Sequence, residues 1–414
     1  MSSEWIQCRL GDVITLKRGY DLPKQSREQG AVPIVSSSGI SDYHNTAMAK
    51  APGVVTGRYG TIGNVYYLTE DYFPLNTTLY VKDFKGNDPR YISYHLKTID
   101  FDSCSDKAAV PGVNRNHLHE LETATPPITE QKAIAHILGT LDDKIELNRK
   151  TNETLEAMAK ALFKSWFVDF DPVRAKAEGR STGLPAEISD LFPDSFEDSE
   201  LGEIPSGWDI GSIGDSVGEV FDGPHATPKE ASEGNIFLGI KNMTGTSLDL
   251  TEKRLIGPDD WEQWTRRVVP RGGDIVFTYE AALGLFAVIP FGLKCCLGRR
   301  MALVRPRGDD ATPYFWFHQF VAEAFQRFIE ERSIHGATVN RTPLTEFPSY
   351  PVLVPDAKIR TAFESTASAL WSKIHLASSE AEFLVSLRNA LLPKLISGEI
   401  RIPDAEKMLG EVGV

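Results

Sequence analysis

The sequence predicts an α/β protein with two similar domains, each a mixed, barrel-like sheet with helices. Two long helices join the domains and form an intramolecular antiparallel coiled coil. The first observation behind this prediction is a repeat: "PPITEQKAIAHILGTLDDKI" at 126–145 matches "PDAKIRTAFESTASALWSKI" at 355–374 without a gap, at a constant offset of 229 residues. A repeat held in register indicates two copies of one structural unit, related here by pseudo-two-fold symmetry.

The repeat continues into the segments that precede each helix. "WIQCRLGD" at 5–12 matches "WDIGSIGD" at 208–215, and "VNRNHLHEL" at 113–121 matches "VNRTPLTEF" at 339–347. Short β-rich runs such as "GVVTGRY" and "GDIVFTY" are bounded by Gly or Pro and predict strands. The predicted organisation is domain one at 1–125, a first long helix at 126–180, an acidic linker at 181–206, domain two at 207–354, a second long helix at 355–400 and a tail to 414.

The second observation is a seven-residue period in both helical segments, which is typical of coiled coils. Each helix is predicted to run for about 40 residues, or ~60 Å. A polar residue in the middle layer, Asn148 opposite Ala377, would set the register at some cost in stability. The predicted seam consists of Ile134, Leu141, Asn148, Leu155 and Leu162 in the first helix and Phe363, Leu370, Ala377, Leu384 and Leu391 in the second.

Aromatic residues at the end of the first helix widen its apolar stripe beyond this seam. A two-helix coiled coil cannot cover so wide a stripe, and a large exposed apolar patch marks an interaction site. We therefore predict that four residues are exposed and contact other subunits: Phe163, Trp166, Phe167 and Phe170.

Charge and composition restrict the class of protein only loosely. The net charge of −13 argues against a nucleic-acid partner, but residues 181–206 alone carry seven acids and no base. A basic surface elsewhere therefore remains compatible with the sequence. No run approaches the ~20 apolar residues of a membrane span. The four cysteines lack metal-ligand spacing, and we expect reduced thiols in a cytoplasmic protein.

Three segments resemble the DNA-specificity subunit of type I restriction–modification enzymes. These segments are "PPITEQKAIAHILGTLDDKIELN", "ALFKSWFVDFDPVRAKAEG" and the tail "LLPKLISGEIRI". The resemblance covers essentially the whole chain, although the second copy has Ile359-Arg360 where the first has Glu-Gln in "TEQKAI". This difference makes the two halves inequivalent.

The resemblance implies a non-catalytic subunit with two target-recognition domains. Each domain would read one half of a bipartite double-stranded DNA site, and the helices would set the unread spacer. The implied partners are two methyltransferase subunits, which would cover the aromatic residues above, and possibly two motor-nuclease subunits. S-adenosylmethionine, ATP and Mg would bind those partners, and this chain would bind no cofactor or metal.

Candidate DNA contacts lie in two predicted loops of each domain. Gly in "TGRYGTIGN" (56–64) permits close backbone approach, and Arg or Asn can contact guanine or adenine edges bidentately, although a plain hairpin turn is equally compatible. The Val-Asn-Arg shared by the second loops favours a shared contact to the DNA backbone over base readout, with a shared turn as the alternative. Glu280 could accept from cytosine N4. The candidates are Arg58, Tyr59, Thr61, Asn64, Lys107, Asn114 and Arg115 in domain one, and Tyr279, Glu280, Arg299, Arg300, His335, Asn340 and Arg341 in domain two.

Two other functions stay open. A DNA-modifying enzyme with its own catalytic centre would need a methyltransferase motif with a Gly-rich cofactor loop, or a Gly-Lys-Ser/Thr motif for ATP, and the sequence contains neither. A nuclease centre is too loosely patterned to exclude. A scaffold without DNA affinity, in which the coiled coil joins two protein-binding domains, would lack salt-dependent duplex binding.

Overall fold

The structure, a computed structural model, describes residues 5–101, 103–106, 112–200, 202–308, 312–334 and 339–411. The chain divides into two compact units. Unit 1 comprises residues 1–148 and 380–414, and unit 2 comprises residues 149–379. The division falls inside the two long helices, so each helix contributes one half to each unit.

Unit 1 begins with short strands and helices that precede the first long helix. Its strands are β1 (Ile6–Arg9), β2 (Thr15–Arg18), β3 (Val32–Ser36), β4 (Gly39–His44), β5 (Gly53–Gly57), β6 (Val65–Leu68), β7 (Phe73–Pro74), β8 (Thr78–Asp83), β9 (Ser105–Asp106), β10 (Gly112–Val113) and β11 (Glu122–Thr125). Its helices are α1 (Leu10–Val13), α2 (Pro89–Lys97), α3 (Arg115–His119) and the first half of the long helix α4 (Ile128–Phe167).

The strands of unit 1 form two principal sheets. The first has the order β2-β8-β5-β6 with antiparallel neighbours. The second has the order β4-β3-β7, in which β3 and β7 are parallel. Strand β1 pairs with β11, which brings the start of the chain beside the residues that enter α4. The core combines Val54, Leu79, Tyr91, Ile134 and Leu391, and so joins the first sheet, α2 and both long helices.

Unit 2 repeats this plan on later residues. Its strands are β12 (Phe196–Ser199), β13 (Gly202–Pro205), β14 (Asp209–Ser212), β15 (Gly218–Asp222), β16 (Asn235–Leu238), β17 (Arg254–Ile256), β18 (Ile275–Thr278), β19 (Phe286–Val288), β20 (Cys295–Leu297), β21 (Met301–Pro306) and β22 (Pro351–Val354). The remaining helices are α5 (Asp171–Ala177), α6 (Ala186–Ser189), α7 (Trp261–Thr265), α8 (Pro313–Val321), α9 (Glu323–Arg332), α10 (Ala357–Ile396) and, in unit 1, α11 (Ile402–Glu411).

Strand order confirms the internal repeat. Unit 2 has one sheet in the order β15-β21-β18-β19 and another in the order β17-β16-β20, with β16 and β20 parallel. These match the two sheets of unit 1 strand for strand, and β14 pairs with β22 as β1 pairs with β11. Mixed sheets were predicted correctly, but among the described strands no ladder closes either pair of sheets into a barrel.

The two long helices pair antiparallel within unit 1. The carboxylate of Asp142 on α4 accepts from Arg388 Nη1 on α10 at 2.8 Å and from Tyr94 Oη on α2 at 2.6 Å. Six residues further along α4, Asn148 Nδ2 donates to Glu380 Oε2 at 2.8 Å. The residue numbers therefore run in opposite directions. The buried Asn was predicted correctly, whereas its carboxylate partner was not anticipated.

Burial follows most of the predicted seam. Among the predicted seam residues, Ile134, Leu141, Asn148, Phe363, Leu384 and Leu391 are buried. The other four predicted seam residues, all in unit 2, are only partly buried: Leu155, Leu162, Leu370 and Ala377. In this part of unit 2 the helices also contact through polar groups, because Asn152 Nδ2 donates to Ser378 Oγ at 2.9 Å.

The prediction that the aromatic end of α4 is exposed is wrong. Phe163, Trp166, Phe167 and Phe170 are 3–9% exposed and lie in the core of unit 2. Trp166 packs edge-on against Phe192 with ring centroids 5.2 Å apart. Helix α8 and the segment that follows α4 cover the stripe, so these side chains are not available as a partner surface.

The acid-rich stretch 181–206 is folded rather than extended. It contains α6 and the antiparallel β12–β13 hairpin. Phe192 and Ile204 are buried in the same core as Trp208, the residue that begins the second repeat. These apolar residues anchor the stretch to unit 2 while its carboxylates stay at the surface.

A buried carboxylate links α10 to α8 in unit 2. Helix α8 has no side-chain cap of its own. Glu364 on α10 instead accepts from Phe315 N at 3.0 Å and Tyr314 N at 3.4 Å, which satisfies amides of the first turn of α8. Glu364 is 9% exposed, and its burial raises the pKa of the carboxyl to about 7.

We expect Glu364→Gln to remove one component of the pH dependence of stability. Between the ordinary pKa of about 4.5 and the folded pKa of about 7, the folded state holds a proton that the unfolded state has lost. The free energy of unfolding therefore falls as pH rises through this window, by up to ~3 kcal/mol at ~1.4 kcal/mol per pKa unit. Denaturant unfolding of both proteins between pH 4.5 and 8 measures the difference. Glu323→Gln, at an exposed site, is the control, and a wild-type-minus-Glu364→Gln difference that does not change with pH would contradict the expectation.

Candidate nucleic-acid interface

A cavity of about 390 Å³ in unit 1 lies where β2 and β5 end and β8 begins. Four candidates from two separate stretches of the sequence meet there, namely Arg58, Tyr59, Asn114 and Arg115. Among the residues that the structure describes, no carboxylate belongs to the lining. The complete lining is Arg18, Arg58, Tyr59, Leu79, Gly112, Val113, Asn114 and Arg115.

Backbone pairing brings the two stretches together. Val113 N donates to Arg58 O at 3.0 Å, and Tyr59 forms a β-bridge with Gly112. A Cβ at Gly112 would lie only 2.2 Å from the Tyr59 ring. Glycine at 112 is therefore required for the close approach that forms this wall of the cavity.

The three arginines of the cavity are held in different ways. The Arg58 guanidinium lies over the Tyr59 ring, 4.5 Å from its centroid. Arg18 Nη2 donates to both carboxylate oxygens of Asp21 at 3.1 Å. Arg115 is exposed, and neither it nor Arg58 forms an ion pair with a residue that the structure describes. The cavity therefore presents positive charge and hydrogen-bond donors.

Arg18 was missed by sequence reasoning. It is the last residue of β2, opposite Leu79 of β8, in a segment without glycine-rich or loop-like composition. Its position at the same sheet edge as Arg58 follows only from the strand order β2-β8-β5. A strand-pairing argument could have found it, whereas motif inspection could not.

The other candidates of the first loop lie outside the cavity. Thr61 and Asn64 are exposed on the turn between β5 and β6, where Gly60 and Gly63 adopt φ values of +80° and +83°. Asn64 Nδ2 donates to Tyr66 Oη at 3.3 Å. The hairpin-turn interpretation of 56–64 is therefore correct, and the same turn presents Arg58 and Tyr59. Lys107 lies outside the described residues.

The corresponding edge of unit 2 carries paired acids and bases. Asp222 accepts from Arg267 Nη1 at 2.7 Å and from Tyr279 Oη at 3.1 Å, and His225 Nε2 lies 2.9 Å from it. The Tyr279 side chain is 5% exposed, contrary to its prediction as a contact residue. Burial raises the pKa of the Tyr279 phenol, and the charge of Asp222 raises it further. Tyr279 thus orients Asp222 from within the core.

A second ion pair lies beside this cluster. Arg300 Nε is 3.1 Å from Glu280 Oε2, and both side chains are about 30% exposed. Arg300 adopts a left-handed backbone with φ of +68°, at the turn that enters β21. The adjacent Arg299 is exposed. The charge of Glu280 is therefore neutralised within the protein, and a DNA base would have to compete with Arg300 for the carboxylate oxygens of Glu280.

The two Val-Asn-Arg sequences, predicted to make a shared DNA-backbone contact, adopt different local structures. Asn114 caps α3, because its side chain accepts from Asn116 N at 3.0 Å. Arg341 instead forms β-bridges with Ile334 and Glu280, and Asn340 O accepts from Ala281 N at 3.2 Å. The bond from Thr342 N to Tyr279 O, at 2.8 Å, is the counterpart of the bond from Val113 N to Arg58 O. His335 lies outside the described residues.

Strand registers identify the corresponding residues of the two edges. Arg18 lies opposite Leu79, as Asp222 lies opposite Ala302. Gly57 pairs with Thr78, as Thr278 pairs with Met301, so Arg58 corresponds to Tyr279. Cationic donors in unit 1 are thus replaced by an acid and a buried phenol in unit 2. The two copies of one scaffold therefore present chemically different edges.

Comparison with known proteins finds similar sequences. The type I restriction modification DNA specificity domain matches residues 2–157. The chain is 25% identical over 346 residues to the type I restriction enzyme HindI specificity subunit of Haemophilus influenzae, covering 72% of each protein. It is 25% identical over 324 residues to the MjaIX specificity subunit of Methanocaldococcus jannaschii, covering 76% of this chain and 67% of the relative. The chain is thus similar to type I restriction–modification specificity subunits, and the domain model of that family matches its first part.

A solved structure supports the fold. The S subunit of a type I restriction–modification system from M. genitalium superimposes with a TM-score of 0.66 at 15% sequence identity, covering 95% of this chain and 96% of that one. Within the described ranges, no helix is long and apolar enough to cross a membrane. The same residues contain no group of three or more His, Cys, Asp or Glu side chains placed to hold a metal ion.

Proposed function

We propose that this chain is the DNA-specificity subunit of a type I restriction–modification complex, with each unit reading one half of a bipartite duplex site. The observation that carries this proposal is the replacement of Arg18 and Arg58 by Asp222 and Tyr279 at corresponding positions of one repeated scaffold. Contacts to phosphates position a protein on DNA, whereas side chains at base edges specify sequence. Two half-sites of different sequence require this combination of a common frame and different edges.

The proposal assigns catalysis to partner subunits. Two methyltransferase subunits would bind S-adenosylmethionine, and two motor-nuclease subunits would use ATP and Mg. The chain itself would hold no cofactor and no catalytic centre. Because the aromatic end of α4 is buried in unit 2, the partners would dock on other surfaces.

The proposal also assigns a measuring role to α4 and α10. Each is a 40-residue helix, and each contributes its first half to one unit and its second half to the other. The separation of the two reading edges, and therefore the length of the unread DNA spacer, would depend on the length of the helices.

The test is binding of the full chain, purified with the methyltransferase subunits of its host, to a library of random duplexes. We expect enrichment of a bipartite motif and a steep loss of affinity with salt, because each neutralised phosphate contributes about 0.9 to the slope of log affinity against log salt concentration. Absence of salt-dependent duplex binding would favour a protein scaffold. DNA methylation or cleavage by the chain alone would favour an enzyme.

Arg115 provides a variant for the same assay. It is an exposed donor at the cavity of unit 1, so Arg115→Gln should weaken binding to all sequences and reduce the salt slope by about one phosphate equivalent. The control is Arg180→Gln, which removes another exposed arginine that is paired with Glu178 and does not line the cavity. An unchanged slope for Arg115→Gln would exclude this cavity from the phosphate contacts.

A further inference from the structure

We infer that unit 1 reads a guanine through Arg58 and that unit 2 makes no equivalent contact. This inference rests on the proposed function and adds the identity of a base. Its starting point is the cavity at the ends of β2 and β5. Of the arginines there, Arg58 lies against an aromatic ring and has no carboxylate partner among the described residues.

Hydrogen bonds hold the backbone of Arg58, and the Tyr59 ring supports its guanidinium. Arg58 N donates to Thr77 O at 2.8 Å, and Arg58 O accepts from Val113 N at 3.0 Å. With both backbone groups bonded and the guanidinium lying over Tyr59, the planar group loses little freedom on binding. A flexible cation suffices to neutralise a phosphate, whereas reading a base edge requires a donor pair of defined orientation.

The chemistry of the cavity selects the base. A guanidinium carries donors only, and the described lining adds Arg115 and Arg18, which is paired with Asp21 outside the lining, and includes no carboxylate. Guanine is the base that offers two acceptors, O6 and N7, in the major groove. Adenine places a donor beside N7, cytosine presents a donor, and thymine has one acceptor beside a methyl group. Two parallel hydrogen bonds from Arg58 therefore fit guanine and leave each other base with an unmatched group.

Unit 2 cannot make this contact at the corresponding position. Tyr279 occupies the place of Arg58, but its ring is buried and its hydroxyl donates to Asp222. Asp222, in the place of Arg18, is already bonded to Arg267. The two halves of the DNA site should therefore differ in how strongly they require guanine.

The test uses the complex of the full chain with the methyltransferase subunits and the duplex enriched from the random library. We expect Arg58→Gln to reduce binding about 10- to 100-fold when guanine occupies one position of one half-site, with little loss for the other three bases there. Replacing that guanine with 7-deazaguanine, which lacks the N7 acceptor, should weaken binding of the wild type and leave Arg58→Gln unaffected. Arg180→Gln should keep the preference for guanine.

Arg58→Lys separates a base contact from a phosphate contact, since it retains the charge but loses the planar fork. Loss of guanine preference in Arg58→Lys supports the inference. Two results together would show that Arg58 contacts a phosphate: Arg58→Lys behaves as wild type, and a neutral methylphosphonate linkage, rather than 7-deazaguanine, abolishes the effect of Arg58. The inference would then fail, while the bipartite motif would stand. Enrichment of no motif at all would overturn both the inference and the proposed function. Unchanged thermal unfolding of the variants shows that they are folded.

Discussion

Replacing Trp166 with alanine is expected to lower the free energy of unfolding by ~3–5 kcal/mol, the range for large aromatic-to-Ala changes in protein cores. Trp166 is 3% exposed and packs edge-on against Phe192 and Phe363, with ring centroids 5.2 and 6.2 Å apart. The indole therefore joins α4, the acid-rich stretch 181–206 and α10 within one core. Its removal leaves a cavity that all three segments would have to close. Equilibrium unfolding of the full chain in urea measures the loss.

The matched control is Met158→Ala on the same helix. Met158 is 53% exposed, so its truncation should change stability by no more than about 0.5 kcal/mol. Helix propensity alone would make the two substitutions similar, and only burial separates them. Wild-type stability in Trp166→Ala, together with loss of methyltransferase binding, would instead place Trp166 at a subunit interface.

The two long helices and the repeat could be predicted because their signals are local and regular. A seven-residue period is visible within each helix, and a gap-free offset of 229 residues relates the two. The start of α10 is equally local, since Asp356 accepts from Lys358 N at 2.8 Å just before the first helical residue. Such features depend on neighbours in the sequence and need no knowledge of the tertiary contacts.

The burial of the aromatic residues on α4 could not be predicted in the same way. An apolar stripe shows that a face is covered, but not by which segment. Here Phe167 meets Phe315 of α8, with ring centroids 4.9 Å apart, across almost 150 residues of sequence. The many acids of 181–206 likewise suggested an exposed linker, although Phe192 and Ile204 attach that stretch to the core.

The candidate site was predicted in part. Arg58, Tyr59, Asn114 and Arg115 were named from two loops, but their convergence depends on the β-bridge between Tyr59 and Gly112. The repeated Val-Asn-Arg was misleading because the sequence match aligns Val113 with Val339, whereas the structural counterpart of Val113 is Thr342, three residues later. Unit 2 has the helix α9 between β21 and β22. After that helix, the chain resumes its pairing with Tyr279 at Thr342. Differences in loop length therefore decide which residues correspond.

Adding seven residues to both long helices is expected to change the DNA spacer while leaving the half-sites unchanged. The insertions belong after Asn148 and after Ser379, where the chain divides into its two units. A full heptad in each helix preserves the seam, because the apolar period is seven. It lengthens each helix by ~10 Å, which corresponds to about three base pairs at a rise of ~3.4 Å. Methylation across a library with fixed half-sites and spacers of varied length measures the preferred spacer.

Inserting seven residues into α4 alone is the contrasting variant, with a larger expected effect. It shifts one helix by two turns against the other, so the bond from Asn148 to Glu380 and the bond from Asn152 to Ser378 cannot both be kept. The buried seam then faces the wrong residues on one side of the insertion, so we expect loss of folded protein or of assembly with the methyltransferase subunits. Insertion in both helices restores the register and should restore folding. An unchanged spacer preference in the doubly extended protein would mean that α4 and α10 do not measure distance, and that the spacing between half-sites is set by the partner subunits or by bending of the DNA.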